Sequence, residues 1–548
     1  MKHIKKTSAF LFALLLIISY AVCGNGAVKD PADGDSTEEQ TETVSGSGDS
    51  AMNGDGFFRE DFPGEPPEGA PEGAVDGQRG GTGGTPPEKP DGNRDFGGAP
   101  PEKPDGNGDF GGTPPEKPDG NGGPGTAPPD GNGGPGGAPG GNSADIEYTG
   151  AEEITSQQTR NGESYESSSS DENALLIAAS DSVTITDASV TKSGDSEGGD
   201  SCSFYGVNAA VLVKDGSTAE ITGGTITSDA NGANGVFCYG GNGGQNGASG
   251  DGTKVTIRDT TITTTGDGSG GIMTTGGGTT CACDLDVTTS GRSSAAIRTD
   301  RGGGTVEVYG GSYTTNGLGS PAIYSTADVT VSDAELTSNL SEGVCIEGLN
   351  SITLNNCTLT ADNTRCNGNA TFWDTIMIYQ SMSGDAASGT SHFTMTDGTL
   401  TSRNGHVFHV TNTNAVITLE GVKIVNEDAE NILLSVCKDG WSGGSNTAVL
   451  KAVSQELSGA VKVGSDSSLT LELTDGSSFE GSIDGSIVNA KGETVSTKTG
   501  TVSVTLDDAS TWTLTGDSYV TEFTGDAANV ISNGYTLYVN GTALTGTL

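Results

Sequence analysis

Three segments of the chain begin alike, with Ser-Gly-Gly-Ile at 269–272, Ser-Ala-Ala-Ile at 294–297 and Ser-Pro-Ala-Ile at 320–323, so that their isoleucines fall 25 and 26 residues apart. A chain that returns to the same small-small-apolar motif at that interval is laying down one coil of a stack at a time. A coil of that length cannot bury its apolar face alone and must use its neighbours. The same anchor recurs less regularly at Val211 and Phe237 upstream, and at Ile346, Ile378 and Phe408 downstream. Composition fits this economy: with 89 glycines, 5% aromatics and 32% hydrophobic residues in 548, the chain is too lean for one large globular core.

From about residue 146 the sequence consists of short β-rich runs separated by Gly, Asp, Asn and Ser. Val183-Thr184-Ile185-Thr186, Val255-Thr256-Ile257-Arg258, Val306-Glu307-Val308 and Val329-Thr330-Val331 alternate inward β-branched with outward polar residues. Each coil offers roughly three such strands, and no stretch has helical period. About a dozen coils stacked at ~4.8 Å would give a rod of roughly 50–70 Å. The pattern over 146–460 resembles right-handed parallel β-helix proteins, the architecture of pectate lyases, polygalacturonases, autotransporter passengers and bacterial adhesins. In texture, with runs such as Ile221–Thr227, it is similar to surface β-helix proteins of Gram-positive bacteria. The resemblance implies an all-β fold, a right-handed parallel β-helix. It implies no particular activity. In residues 461–548 the strands Leu469–Leu473, Val502–Leu506, Thr511–Leu514 and Tyr535–Val539 follow one another with tight turns, and Ser510–Asp517, with Trp512, resembles the terminal coils of passenger-type solenoids. A C-terminal β cap is expected there.

The N-terminus has a different role. Lys2, Lys5 and Lys6 precede an apolar run from Ala9 to Val22, the layout of a secretory signal. The run ends at Cys23-Gly24-Asn25-Gly26, which resembles the lipobox of bacterial lipoproteins, although Tyr20 and Val22 depart from its usual residues. The expectation for residues 1–23 is a signal peptide, with lipidation at Cys23 anchoring the protein to a membrane at the cell surface; simple cleavage and secretion is the alternative. Residues 24–145 are dominated by Gly, Pro, Asp, Asn and Glu, and PPEKPDGN recurs there at Pro86, Pro100 and Pro114. This composition predicts a disordered, semi-extended spacer. Asp105–Asp109 alternates oxygen ligands as a calcium loop does, but without flanking helices or a distal Glu, so it is read as spacer too.

Net charge is -46, from 72 acidic and 26 basic residues, which argues against nucleic acid and against bare anionic polysaccharides unless a cation bridges them. No cofactor is expected, with calcium left open. Of nine cysteines, eight remain besides Cys23; Cys345 and Cys357 read as core-facing, and Cys281 and Cys283 as outward, with mostly buried thiols expected and one or two bridges left open.

In the enzymes of this architecture, catalytic groups project from one parallel sheet. The best such cluster here is Arg298, Asp300 and Arg301, where the resemblance to pectate lyases implies an arginine that removes a proton; a turn salt bridge is the plainer reading. The neighbouring coils supply Met273 and Tyr324 in register, with no second Asp. His406 and His409 lack the aspartates of a polygalacturonase and are read as structural, with a surface pair or a weak metal pair as the alternatives. Binding residues are sought instead in the insertions Tyr239–Lys254 and Thr360–Asp374. The second carries Arg365, Asn369, Phe372 and Trp373, with Tyr379 following it, and an aromatic ring among amides suits a sugar. Two readings remain: a non-catalytic surface adhesin that binds polysaccharide or host glycan, and an extracellular polysaccharide lyase or glycoside hydrolase.

Overall fold

The computed structural model describes residues 146–196, 199–242 and 249–548. Cys23, the PPEKPDGN spacer and the Asp105–Asp109 run lie outside these residues. Within them the chain is all-β apart from one short helix, α1 (Gly199–Tyr205), and a 3-10 turn at Ala527–Asn529. Successive strands are dealt in rotation to three parallel sheets, here A, B and C, of 13, 14 and 10 strands, followed in the C-terminal coils by a four-stranded sheet. One coil shows the plan: Ile297–Thr299 lies in sheet A, Gly304–Tyr309 in B and Ser312–Thr315 in C. Each strand pairs with those one coil before and after it, which makes a parallel β-helix.

The repeat works through two ladders. The inward column of sheet A runs Val211, Val236, Ile272, Ile297, Ile323, Val344, Ile376 and Phe408. Val211, the three isoleucines and Phe408 therefore hold the expected anchor position. Phe237 is one residue out and faces outward, whereas Ile346 and Ile378 lie two residues further along the same inward side. These slips occur where loops lengthen the coil and the interval stops being a guide. The second ladder explains the serine that opens each anchor. Ser269, Ser294 and Ser320 are fully buried. The amide of Ser269 donates to Ser294 Oγ, and that of Ser294 to Ser320 Oγ, each at 2.9 Å. Their hydroxyls in turn donate to the carbonyls of Ala230, Gly266 and Gly291.

Between sheets B and C the chain turns on a residue with positive φ. Asp187, Asp259, Asp284, Asp333, Asn356 and Asp397 take φ of 50–58° there, a conformation that Asp and Asn tolerate better than other side chains. This accounts for the Asp and Asn that punctuate the β runs.

Most strands of sheets B and C alternate buried with more exposed side chains, as in Asp328–Ser332, an exception being Gly278–Cys283, buried throughout its second half. Sheet A does not: Asp374–Tyr379 and His406–Thr411 are buried at every position. Its outer face is covered by the non-repeating segments. Phe204 and Tyr205 of α1 pack on the outward residues Leu212, Phe237 and Met273. The helix was not expected from the sequence; seven residues are too few to show a period.

At the C-terminal end the sheet B ladder continues through Asn446–Val453, Ser467–Thr474 and Thr501–Leu506. Trp512 is fully buried, stacks on Phe479 at 5.6 Å and donates its indole N–H to Gly481 O at 3.0 Å. Two antiparallel pairs, Ser486–Val488 with Thr494–Thr497 and Leu537–Val539 with Thr542–Ala543, complete the region.

Cys357 is in the core, and burial raises its thiol pKa. Cys345 departs from expectation: it stands in the outward column of sheet A, in line with Tyr324 and Met377, because it lies between the inward-facing Val344 and Ile346 and side chains alternate along a strand. Cys281 and Cys283 pair with Thr256 and Arg258 as the register predicts, and both are buried.

Candidate functional site

Past Met273 the outward column of sheet A reads Arg298, Tyr324, Cys345, Met377, His409 and Ser435. Two residues further along their strands, Glu347 and Tyr379 stand side by side. Here chemically distinct side chains stand side by side, whereas the outward positions of sheet C are mostly threonines and serines.

Arg298 and Asp300 form a turn salt bridge, Nη2 to Oδ2 at 2.9 Å, while Nη1 donates to Ser293 O at 3.3 Å. Burial pushes the Asp300 carboxyl up to about 6, against the pull of Arg298. Arg301 turns away from this pair. It bonds Asp385 at 2.7 Å, and its guanidinium lies 4.1 Å from the centre of the Phe204 ring. Arg301 thereby fastens α1 and the segment around Asp385 to the coil, whereas Arg298 opens into a recess with Tyr324, Tyr379 and Asn367.

Tyr324 and Tyr379 also line a second, adjoining recess together with Asn369, Met377 and Trp441. The two have volumes of about 260 and 280 Å³. The rings of Tyr379 and Trp441 meet at 4.8 Å and 50°. Under them Glu347 is almost fully buried and collects donors. Tyr324 and Tyr379 hydroxyls reach its Oε2 at 2.7 and 3.1 Å, and Ser381 bonds Oε1 through its amide and hydroxyl. Burial raises both phenols well above their usual pKa, Tyr324 further through Tyr379 and Glu347, Tyr379 further through Glu347 and Cys345. The tyrosines are therefore neutral donors, and their rings are fixed as walls of the cleft. Glu342, a third buried carboxyl, is raised by desolvation and bonds the Ser341 hydroxyl.

The insertion that carries Trp373 divides between two places. Asn369 reaches the cleft just described, and Asn367 does so while accepting from Arg292 Nη2 at 3.1 Å. Phe372 is buried with Cys437 and Ile487 and pins the loop to the coils. Half-buried Trp373 lies beside a separate recess with His406. The Trp373 carbonyl comes so close to Gly405, at φ 79°, that a Cβ there would sit 2.1 Å from its oxygen, so only glycine fits. Arg365 is exposed and lines neither recess. Of the residues expected at a binding site, Tyr379 and Asn369 come together, and Arg298, expected in a different role, joins Tyr379. Trp441 and Tyr324 were missed. Trp441 had a readable signal, because Lys438–Ser445 lengthens its coil with glycines as the Trp373 insertion does.

His406 and His409 are not a surface pair. Both are buried, and both place Nδ1 2.7 Å from Ser435 Oγ. Among the described residues no three His, Cys, Asp or Glu side chains are grouped so as to hold a metal ion. Compared with protein-family models, with curated proteins and with solved structures, the chain matches none.

Proposed function

We propose that this chain is an exported surface β-helix protein that binds an uncharged glycan in the cleft on the outer face of sheet A and does not cleave it. The observation that carries the reading is the Tyr379–Trp441 ring pair beside the side-chain amides of Asn367 and Asn369. Aromatic faces take the apolar face of a pyranose, and amides bond its hydroxyls. Binding without cleavage is supported by the state of the acidic groups: Glu347 is engaged by two phenols and Ser381, Asp300 by Arg298 and Asp385 by Arg301, while Glu342, which accepts from the Ser341 hydroxyl, is the one carboxyl among the residues lining the Trp441 recess. A guanidinium held in an ion pair is a poor proton acceptor, and glycoside hydrolysis needs two carboxyls that face the substrate. Export, the lipid anchor at Cys23 and display on the 24–145 spacer belong to the same proposal and rest on the composition of those segments.

The test exposes the full-length protein to a panel of neutral and acidic polysaccharides and scores both retention and new reducing or unsaturated ends. Trp441→Ala is expected to weaken retention of a neutral glycan roughly five- to tenfold, the equivalent of about 1 kcal/mol or more of stacking, with no new ends from the native protein. New chain ends that vanish in Arg298→Ala would replace this reading with the lyase.

A further inference from the structure

Two adjoining recesses on the outer face of sheet A share one wall. Arg298 stands in the first with Ala295 and Pro321, Trp441 stands in the second, and Tyr324, Tyr379 and Asn367 belong to both. At about 260 and 280 Å³, each falls just short of the roughly 300 Å³ at which small-molecule pockets begin, so a ligand that fills the cleft reaches into both. Asn367 serves both because Gly319, at φ 62°, leaves room for it: a Cβ there would lie 2.1 Å from Asn367 Nδ2.

Glu347 fixes the hydrogen-bonding sense of the shared wall. Tyr324 and Tyr379 are neutral phenols with one proton each, and both give it to Glu347 Oε2, at 2.7 and 3.1 Å. From a ligand they can only accept. Arg298 has the opposite sense: a guanidinium has five N–H groups and accepts nothing, and the described residues engage two of them, through Asp300 at 2.9 Å and the Ser293 carbonyl at 3.3 Å. The first recess therefore presents a donor, acceptors and the apolar surface of Ala295 and Pro321. A sugar hydroxyl uses the donor and an acceptor but leaves the apolar surface bare. An anion meets a guanidinium already neutralised by Asp300, beside phenol oxygens to which it has nothing to donate. An acetamido group answers all three, with its carbonyl, its N–H and its methyl. We propose that the cleft selects N-acetylated hexosamines, the pyranose ring lying on the Tyr379–Trp441 pair and the acetamido group entering the Arg298 recess, carbonyl to the guanidinium and N–H to a phenol oxygen. This inference rests on the glycan reading of the same cleft and narrows it.

The experiment compares glucose, galactose and mannose with their 2-acetamido counterparts on the full chain, by titration calorimetry and by saturation-transfer NMR observed on the sugar. At least one N-acetylated sugar is expected to bind roughly tenfold or more tighter than its parent, because the parent leaves the donor and acceptors of the recess unanswered. Its acetyl methyl is expected to be the most strongly saturated group. Arg298→Lys keeps a cation for Asp300 but loses the planar fork, and should cut the preference to roughly threefold or less with the circular dichroism unchanged. The saturation pattern is read on the native chain and does not depend on any variant folding. Parent sugars that bind as tightly as their acetylated counterparts, an acetyl methyl left unsaturated, or a preference untouched by Arg298→Lys overturns the inference and leaves the glycan reading standing. No response to any of the six sugars overturns it as well, and retention of neutral polysaccharide by the same preparation then decides whether the glycan reading survives.

Discussion

Ser294→Ala removes one atom from the middle of the buried serine ladder, and the structure sets what that atom is worth. Ser294 Oγ accepts the amide of Ser269 at 2.9 Å and has the carbonyls of Gly266 and Arg292 within reach of its one proton, at 3.1 and 3.0 Å. Alanine orphans a buried N–H, a cost of about 1–3 kcal/mol, and forfeits a donated bond worth about 1 kcal/mol. The expected loss is about 2–4 kcal/mol. In a stack stabilised mainly between neighbours, a weakened central interface also reduces cooperativity. Urea unfolding followed by far-UV circular dichroism should show a lower midpoint and a broader or divided transition. Ser290→Ala is the control: the residue is exposed in the same coil, and its removal should stay within about 0.5 kcal/mol. If Ser294→Ala costs less than ~1 kcal/mol, or no more than the control, the serine anchor is merely a small residue and the ladder does not hold the coils.

The Asp300 carboxyl is raised from 3.8 to about 6 in the folded state, so its protonated form favours folding. That contribution, about 3 kcal/mol at most, is complete below about pH 4 and is lost as pH rises through 6; unfolding free energies at pH 4.5 and 7.5 should differ less in Asp300→Asn than in the parent, and an unchanged difference would contradict it. Burial raises the thiols of Cys345 and Cys437 and pushes that of Cys238 up to about 12. Iodoacetamide at pH 8 should leave these three unmodified until the protein is unfolded, and mass spectrometry showing rapid native alkylation would be the contrary result. Metabolic labelling with a palmitate analogue should mark the chain and fail to mark Cys23→Ala; equal labelling of the two would remove Cys23 as the anchor.

The fold was legible because its determinants are local and repeat. Inward apolar residues at every second position, an Asp or Asn at the turn and, in the coils of Ile272, Ile297 and Ile323, a Ser at the anchor come back from coil to coil, and stacking only multiplies them. Register was legible to the same extent: Met273, Arg298 and Tyr324 align as the interval predicts. It failed for Cys345, which lies between the inward Val344 and Ile346 and therefore faces outward.

The site was less legible because its residues are neighbours across coils and along no single segment. Trp373 and Tyr379 flank one strand yet line different recesses, since the chain passes from a loop pinned by Phe372 into a strand whose outward positions are fixed by the ladder. Tyr379 finds its aromatic partner in Trp441, two coils further along the stack, and its hydroxyl partner Glu347 one coil back. Both tryptophans could be flagged from sequence, each being a large aromatic in a segment that breaks the repeat. Which ring faces which amide depends on how much each loop lengthens its coil and where the loop then folds back. A stacked coil thus separates two kinds of information. Residues that obey the repeat specify the scaffold and say nothing of the ligand, while residues that break it carry the ligand chemistry and become readable only when the scaffold has set them side by side. The burial of both faces of sheet A along Asp374–Tyr379 and His406–Thr411 marks where the second kind has accumulated, and it is the physical reason to look for recognition there and not on strands such as Asp328–Ser332, which alternate.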